Sequence, residues 1–161
     1  MSDLFNSSTR LATAALRCRK AVAAVEFAMV LPLLALVMAG IFDFGYYLNQ
    51  SNELDKSLRV GAVLAARSSQ PLSSSSQTTI ENLVKTGTVD GSGAFVVPGW
   101  SDNAADLTVT TSTYSSGGNS YEVIRLVASV PYNPFFGNFL ATYGFMSINL
   151  TAAHEQAFIG D

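Results

Sequence analysis

The sequence is short of the side chains that most chemistry needs: 161 residues contain one cysteine, one histidine and one tryptophan, and only 13% are charged. The cysteine, Cys18, stands in a basic N-terminal stretch, so the long remainder has no thiol for a disulfide framework or a cysteine-based metal site. His154 would need carboxylates to complete a zinc site, and no His-Glu-x-x-His spacing occurs, so it reads as a surface or edge-strand residue. There is no Gly-x-Ser-x-Gly nucleophile elbow. Asp90-Gly91-Ser92-Gly93 reads as a turn, because a dinucleotide fingerprint would need a third glycine at position 96. Asp102 and Asp106 form a close acidic pair near Trp100, and a solvated loop accounts for them better than a cation or sugar site. Positive charge is also scarce past residue 21, where five basic residues face eleven acidic ones, a net charge of −6 against −3 for the whole chain. That balance argues against nucleic acid as a partner. No catalytic constellation, metal site or cofactor site emerges, and the expectation is a protein that is not an enzyme.

What the sequence does have is one long apolar run. From Val22 to Phe42 the only ionisable side chain is Glu26. At about 1.5 Å per residue the run makes a helix of roughly 31 Å, close to the hydrocarbon thickness of a bilayer. Arg10, Arg17, Arg19 and Lys20 precede it, and after it no basic residue occurs before Lys56. The positive-inside rule therefore puts the N-terminus in the cytoplasm and the rest of the chain outside. An acid at a helix centre costs about 2.5–3.5 kcal/mol on the insertion scale, and less near an end, where Glu26 lies. With a helix start near Val22, Glu26 falls in the first turn, where the macrodipole favours negative charge. Pro32 removes a backbone donor and should kink the helix.

Three readings fit such a segment. A plain single-pass anchor leaves Glu26 unexplained. A cleavable secretory signal would use Val37-Met38-Ala39 as its small-residue site, yet it would carry a carboxylate in its apolar core and be followed by more helix. The third reading is a resemblance. Basic residues, small Ala21, the four residues Val22-Ala23-Ala24-Val25, then Glu26, Phe27 and a long apolar helix resemble a type IV prepilin signal. Ala-Val-Glu-Phe-Ala-Met-Val-Leu-Pro-Leu-Leu followed by Ile41-Phe42-Asp43-Phe44-Gly45 is more specifically similar to the TadE-like family, the minor pilins or pseudopilins of the tight-adherence (Flp, type IVb) pilus system. The resemblance implies cleavage by a prepilin peptidase between Ala21 and Val22, with Glu26 and Phe27 as fifth and sixth residues of the mature chain. Ala21 stands where that family usually has glycine. The resemblance further implies that Glu26 pairs with the new N-terminal amine of a neighbouring subunit.

Beyond the run the helical pattern continues. Leu54, Leu58, Ala62 and Ala65 form a stripe, and one helix is expected over residues 22–67, with residues 22–42 crossing the membrane and the rest packing on its own domain. Small residues at 61, 62, 65 and 66 suit close approach of another element. Tyr46-Tyr47 reads as an interfacial aromatic belt. Residues 68–76 are a serine-rich linker by composition. Thr78-Thr79-Ile80-Glu81 has a capping-box pattern, which predicts a short helix ending near Thr86-Gly87. Leu107, Val109 and Thr111 alternate with polar residues, Ser116-Gly117-Gly118-Asn119 signals a turn, and Ile124, Leu126, Ala128 and Val130 line one face of a second strand. Asn138 to Tyr143 reads as a short helix or loop, and a last strand is expected from Met146 to Ala157 with Ile148, Leu150 and Ala152 inward. Val130-Pro131-Tyr132-Asn133-Pro134-Phe135 and Ile148 to Ala153 also resemble the C-terminal half of TadE-like proteins.

The expected fold is α+β and pilin-like: a long N-terminal helix packed on a small antiparallel sheet. Its expected organisation is a basic leader at 1–21 that is cleaved, the helix at 22–67, the linker at 68–76 and a periplasmic or extracellular domain at 77–161. Two functions remain open. The first is a structural subunit of the tight-adherence pilus in the bacterial inner membrane or the pilus itself, with a prepilin peptidase, other Flp/Tad pilins, the inner-membrane assembly platform and the lipid bilayer as partners. The second is a permanently anchored periplasmic binding module with no pilus role.

Overall fold

This computed structural model describes the backbone of residues 2–136 and 148–158, with side chains along the first helix from residue 22 onward. The expectations for Asn138 to Tyr143 and for a strand beginning at Met146 lie outside the described residues. The chain divides into two compact units, Met1–Phe42 and Asp43–Asp161. The first helix, α1, runs Ser2–Arg67. It contains the expected helix at 22–67 and continues back through the leader to Ser2. In the uncut chain Glu26 lies about 6.7 turns from the helix start at Ser2, beyond the reach of the macrodipole. The helix runs unbroken through Pro32, whose missing N–H leaves the carbonyl of Ala28 without its helical donor.

Within Asp43–Asp161 the elements follow the periodicities of the sequence. Leu54, Leu58, Ala62, Ala65 and Ala66 of α1 are buried, as the stripe predicts. Helix α2 spans Ser74–Thr86 and ends at Gly87, whose left-handed backbone (φ 73°) lets its N–H donate to the Leu83 carbonyl at 2.9 Å. Its start differs from the capping-box expectation. Ser73 is the N-cap, its Oγ accepting from the Ser76 N–H at 3.2 Å, so Ser74 to Ser76 belong to the helix rather than to a linker. Thr78 and Thr79 instead donate their hydroxyls to the Ser74 and Ser75 carbonyls one turn back, at 3.0 and 2.9 Å. In the turn that follows, Asp90 accepts from the Ser92 hydroxyl at 2.9 Å and its N–H at 3.2 Å, which hold its carboxyl below the usual range. A single 3-10 turn at Pro98–Ser101 then buries Trp100.

Three antiparallel strands complete the domain: β1 at Asp106–Ser116, β2 at Asn119–Pro131 and β3 at Asn149–Ala157, in the order β1-β2-β3. The pairing places Leu107 opposite Ala128, Val109 opposite Leu126, Leu150 opposite Val130 and Ala152 opposite Ala128. Residues paired in this way share a face, so the buried Ala128 of β2 is flanked by apolar residues from both edges, while Leu126 and Val130 each have one apolar partner and Ile124 lies between Thr111 and Gln156. Ile148, expected inward, lies just before β3 and is 53% exposed. The α1 stripe, Ile80 and Val84 of α2, Val97, Trp100 and this sheet face form one core. The architecture is α+β, a long helix with a small antiparallel sheet.

Candidate functional site

Two sets of residues carry the functional signal, one in each unit. In Met1–Phe42 the side chains from Val22 to Phe42 are almost all exposed: Phe27 is 60% exposed, Met29 77%, Leu33 63% and Phe42 60%. A helix so apolar and so bare has no counterpart in a water-soluble core, and it meets the length and composition needed to cross a membrane. Glu26 lies on this exposed surface, and among the described residues no ion pair reaches it. Val22 and Phe27 are exposed with it, and Ala21 belongs to the same helical backbone. The Ala21–Val22 bond therefore lies within helix rather than in an extended segment.

In Asp43–Asp161 the residue directly after the apolar run, Asp43, is only 9% exposed. Its Oδ1 accepts the Phe135 backbone N–H at 2.8 Å, and its carbonyl accepts the Tyr132 hydroxyl at 2.9 Å. Two turns further along α1, Gln50 donates Nε2 to the Asn133 carbonyl at 3.1 Å. The loop is also fastened to the sheet, where the Tyr132 N–H donates to the Ile148 carbonyl at 2.8 Å. Aromatic rings fill the space between. Tyr47 and Tyr132 meet edge-on at 5.4 Å, Tyr46 and Phe135 at 5.7 Å, and Phe135 and Phe136 at 5.1 Å. Burial, reinforced by Asp43, raises the Tyr132 phenol well above its ordinary 10.0.

This arrangement corrects the reading of Tyr46-Tyr47 as a membrane belt and nothing more, since both rings are packing partners of the loop at 132–135. It also assigns Asp43 a role that sequence reasoning missed. Asp43-Phe44-Gly45 and Tyr132-Asn133-Pro134-Phe135 each stand out as motifs, but nothing in the sequence joins them across 92 residues. The remaining polar candidates are local. Asp102 accepts the Ala104 N–H at 2.8 Å, and Asp106 accepts the Thr108 hydroxyl at 3.0 Å, both as exposed turn contacts. His154 is half-buried on the edge strand β3. Among the described residues no three His, Cys, Asp or Glu side chains gather where a metal ion could sit.

The chain carries a TadE-like segment. Residues 21–63 match the family model described as TadE-like protein. The TadE-like match begins at Ala21 and includes Glu26, Phe27, Pro32, Asp43 and the buried stripe as far as Ala62. It stops short of the loop at 132–135, so the likeness of the C-terminal strands to the family rests on their motifs alone. No curated protein and no solved structure matches the chain.

Proposed function

We propose that this protein is a minor pilin or pseudopilin of the TadE type, a structural subunit for assembly of a tight-adherence pilus. The observation that carries the reading is the exposed apolar helix from Val22 to Phe42 with Glu26 as its one ionisable group, inside the TadE-like match. In this reading the helix is seated in the bacterial inner membrane, with residues 1–21 cytoplasmic and the sheet domain periplasmic. A prepilin peptidase opens the helix at Ala21–Val22 and removes the leader with its four basic residues and Cys18. Cleavage makes Val22 the N-terminus and moves Glu26 into the first turn, where the macrodipole favours its charge.

The mature helix then packs against equivalent helices of other Flp/Tad pilins at the assembly platform. Glu26 meets the amine of a neighbouring Val22 there, and each charge relieves the desolvation of the other. The pair sets the register of assembly more than the stability of the monomer. The exported domain decorates or primes the pilus and serves adhesion by contact rather than by catalysis.

N-terminal sequencing of the membrane-associated protein tests the first step: Val22 supports the reading, Gly40 marks an ordinary secretory signal, and Met1 an uncut anchor. Glu26→Ala tests the second. The variant is expected to reach the membrane at wild-type level and to be missing from sheared pilus fractions, and normal piliation would sink the role given to Glu26.

A further inference from the structure

The loop at Tyr132–Phe136 carries two phenylalanines that the domain leaves uncovered, Phe135 at 66% and Phe136 at 39% exposed. Their position is fixed by Asp43, which binds the Phe135 N–H and the Tyr132 hydroxyl. Asp43 is the residue that ends the apolar run, so these two bonds hold the loop level with the point where α1 leaves the hydrocarbon. A carboxylate at that boundary is best solvated when it faces water. Here it is turned inward and spent on the loop, which is the arrangement expected if the loop has to stay at that depth.

Charge is sparse along the two stretches of chain that meet here, although β1 brings Asp106 opposite Ser129, and Asp102 follows the turn whose Gly99 lies against the Pro131 carbonyl. On α1 the only charged residue between Phe27 and Asn52 is Asp43 itself. Glu53, the next, lies ten residues on, about 15 Å further along the helix. In the loop's own strand-to-strand region the chain from Leu126 to Ala153 contains no Asp, Glu, Lys or Arg. Amphipathic aromatic rings gather at the headgroup level of a membrane, and Tyr46, Tyr47 and Tyr132 cluster here with Phe135.

We propose that Phe135 and Phe136 form a second membrane contact, dipping into the interface of the bilayer that the TadE-like helix crosses, with Asp43 as the residue that sets their depth. The partner is the lipid surface, and the proposal rests on Val22–Phe42 spanning that bilayer.

The test uses the full chain in phosphatidylcholine/phosphatidylglycerol vesicles with lipids brominated near the headgroup end of the acyl chains. Phe136→Trp, with Phe135→Trp as a second variant, is compared with Leu34→Trp inside the apolar run and Tyr121→Trp on β2. Tyr121 is half exposed and eleven residues back along the chain from Tyr132, roughly 36 Å at strand rise. After subtraction of the Trp100 signal, the loop variants are expected to lose about half their emission to the brominated lipids, and Tyr121→Trp almost none. Quenching of Leu34→Trp with loop variants as unquenched as Tyr121→Trp overturns the loop contact and leaves the spanning helix standing. A blue-shifted but unquenched loop tryptophan also overturns it, in favour of burial against a second copy of the chain. Absence of quenching in Leu34→Trp as well removes both the loop contact and the membrane reading beneath it.

Discussion

Gly61→Ala is a substitution whose sign the packing reverses. In an ordinary helix interior, alanine in place of glycine stabilises by about 0.8–1 kcal/mol. At position 61 the new methyl would overlap Cγ2 of Val84 and lie 3.2 Å from Cδ2 of Leu126 and 3.7 Å from Cγ2 of Ile80. Val84 is fully buried, and a β-branched side chain on a helix has one strongly preferred rotamer, so its methyl cannot swing away. The strain must move α1 and α2 apart, and overpacking of this kind costs about 1–3 kcal/mol. The expected net effect of Gly61→Ala is a loss of up to about 2 kcal/mol once the helix-propensity gain is deducted.

Removing the obstacle tests the reasoning. In a Val84→Ala background the next neighbour is the flexible end of Leu126, and Gly61→Ala should become neutral or stabilising by up to about 1 kcal/mol. The assay is urea unfolding of the full chain in detergent micelles, followed by the emission of the buried Trp100 for all four members of the cycle. If Gly61→Ala stabilises in the wild-type background, the close approach of α1 and α2 at this residue is refuted.

Asp43→Ala should cost about 1–3 kcal/mol, because it strands the partly buried Phe135 N–H, and hydrogen exchange should show that amide losing protection while β2 amides keep theirs. Tyr132 should ionise well above the ordinary 10.0 of a tyrosine in an absorbance titration at alkaline pH, and Tyr132→Phe should remove that late step. The folded chain keeps a proton that the unfolded chain releases above pH ~10, so the stability linked to Tyr132 is intact below that pH and falls as pH rises past it. Ser73→Ala should destabilise by about 1 kcal/mol as an N-cap loss, whereas Thr78→Ala should be near neutral, and the reverse order in urea midpoints would restore the helix start at Thr78.

Elements set by local rules were readable from the sequence. The Leu54, Leu58, Ala62 and Ala65 stripe repeats at helical spacing, and the alternation of Ile124, Leu126, Ala128 and Val130 repeats at strand spacing, so each fixes its own buried face. The start of α2 was not readable, because a serine run looks like a linker by composition, and only the Ser73 hydroxyl bonded to Ser76 makes it a helix start. The N-terminal extension of α1 to Ser2 falls in the basic leader, whose Arg and Lys cluster reads as a cytoplasmic flank although Leu4, Leu11, Ala15 and Cys18 stand at helical spacing. Of the functional residues, Glu26 announced itself by being an acid in an apolar run. Asp43 did not, because an acid at the end of a membrane-length segment is unremarked until its partner, Phe135, is seen against it.

The sheet offers a different kind of freedom at its far end. Every residue of β1 and β2 from Thr110 to Glu122 is exposed, and β3 pairs with β2 only from Val123 onward. The hairpin therefore ends in a two-stranded ribbon closed by Gly117 and Gly118, both at positive φ and with open space where a side chain would be. Nothing in the core would register a lengthened or rewritten tip. That makes this turn the natural place to graft an epitope or a reactive tag, and the place where related chains are free to diverge in length without refolding.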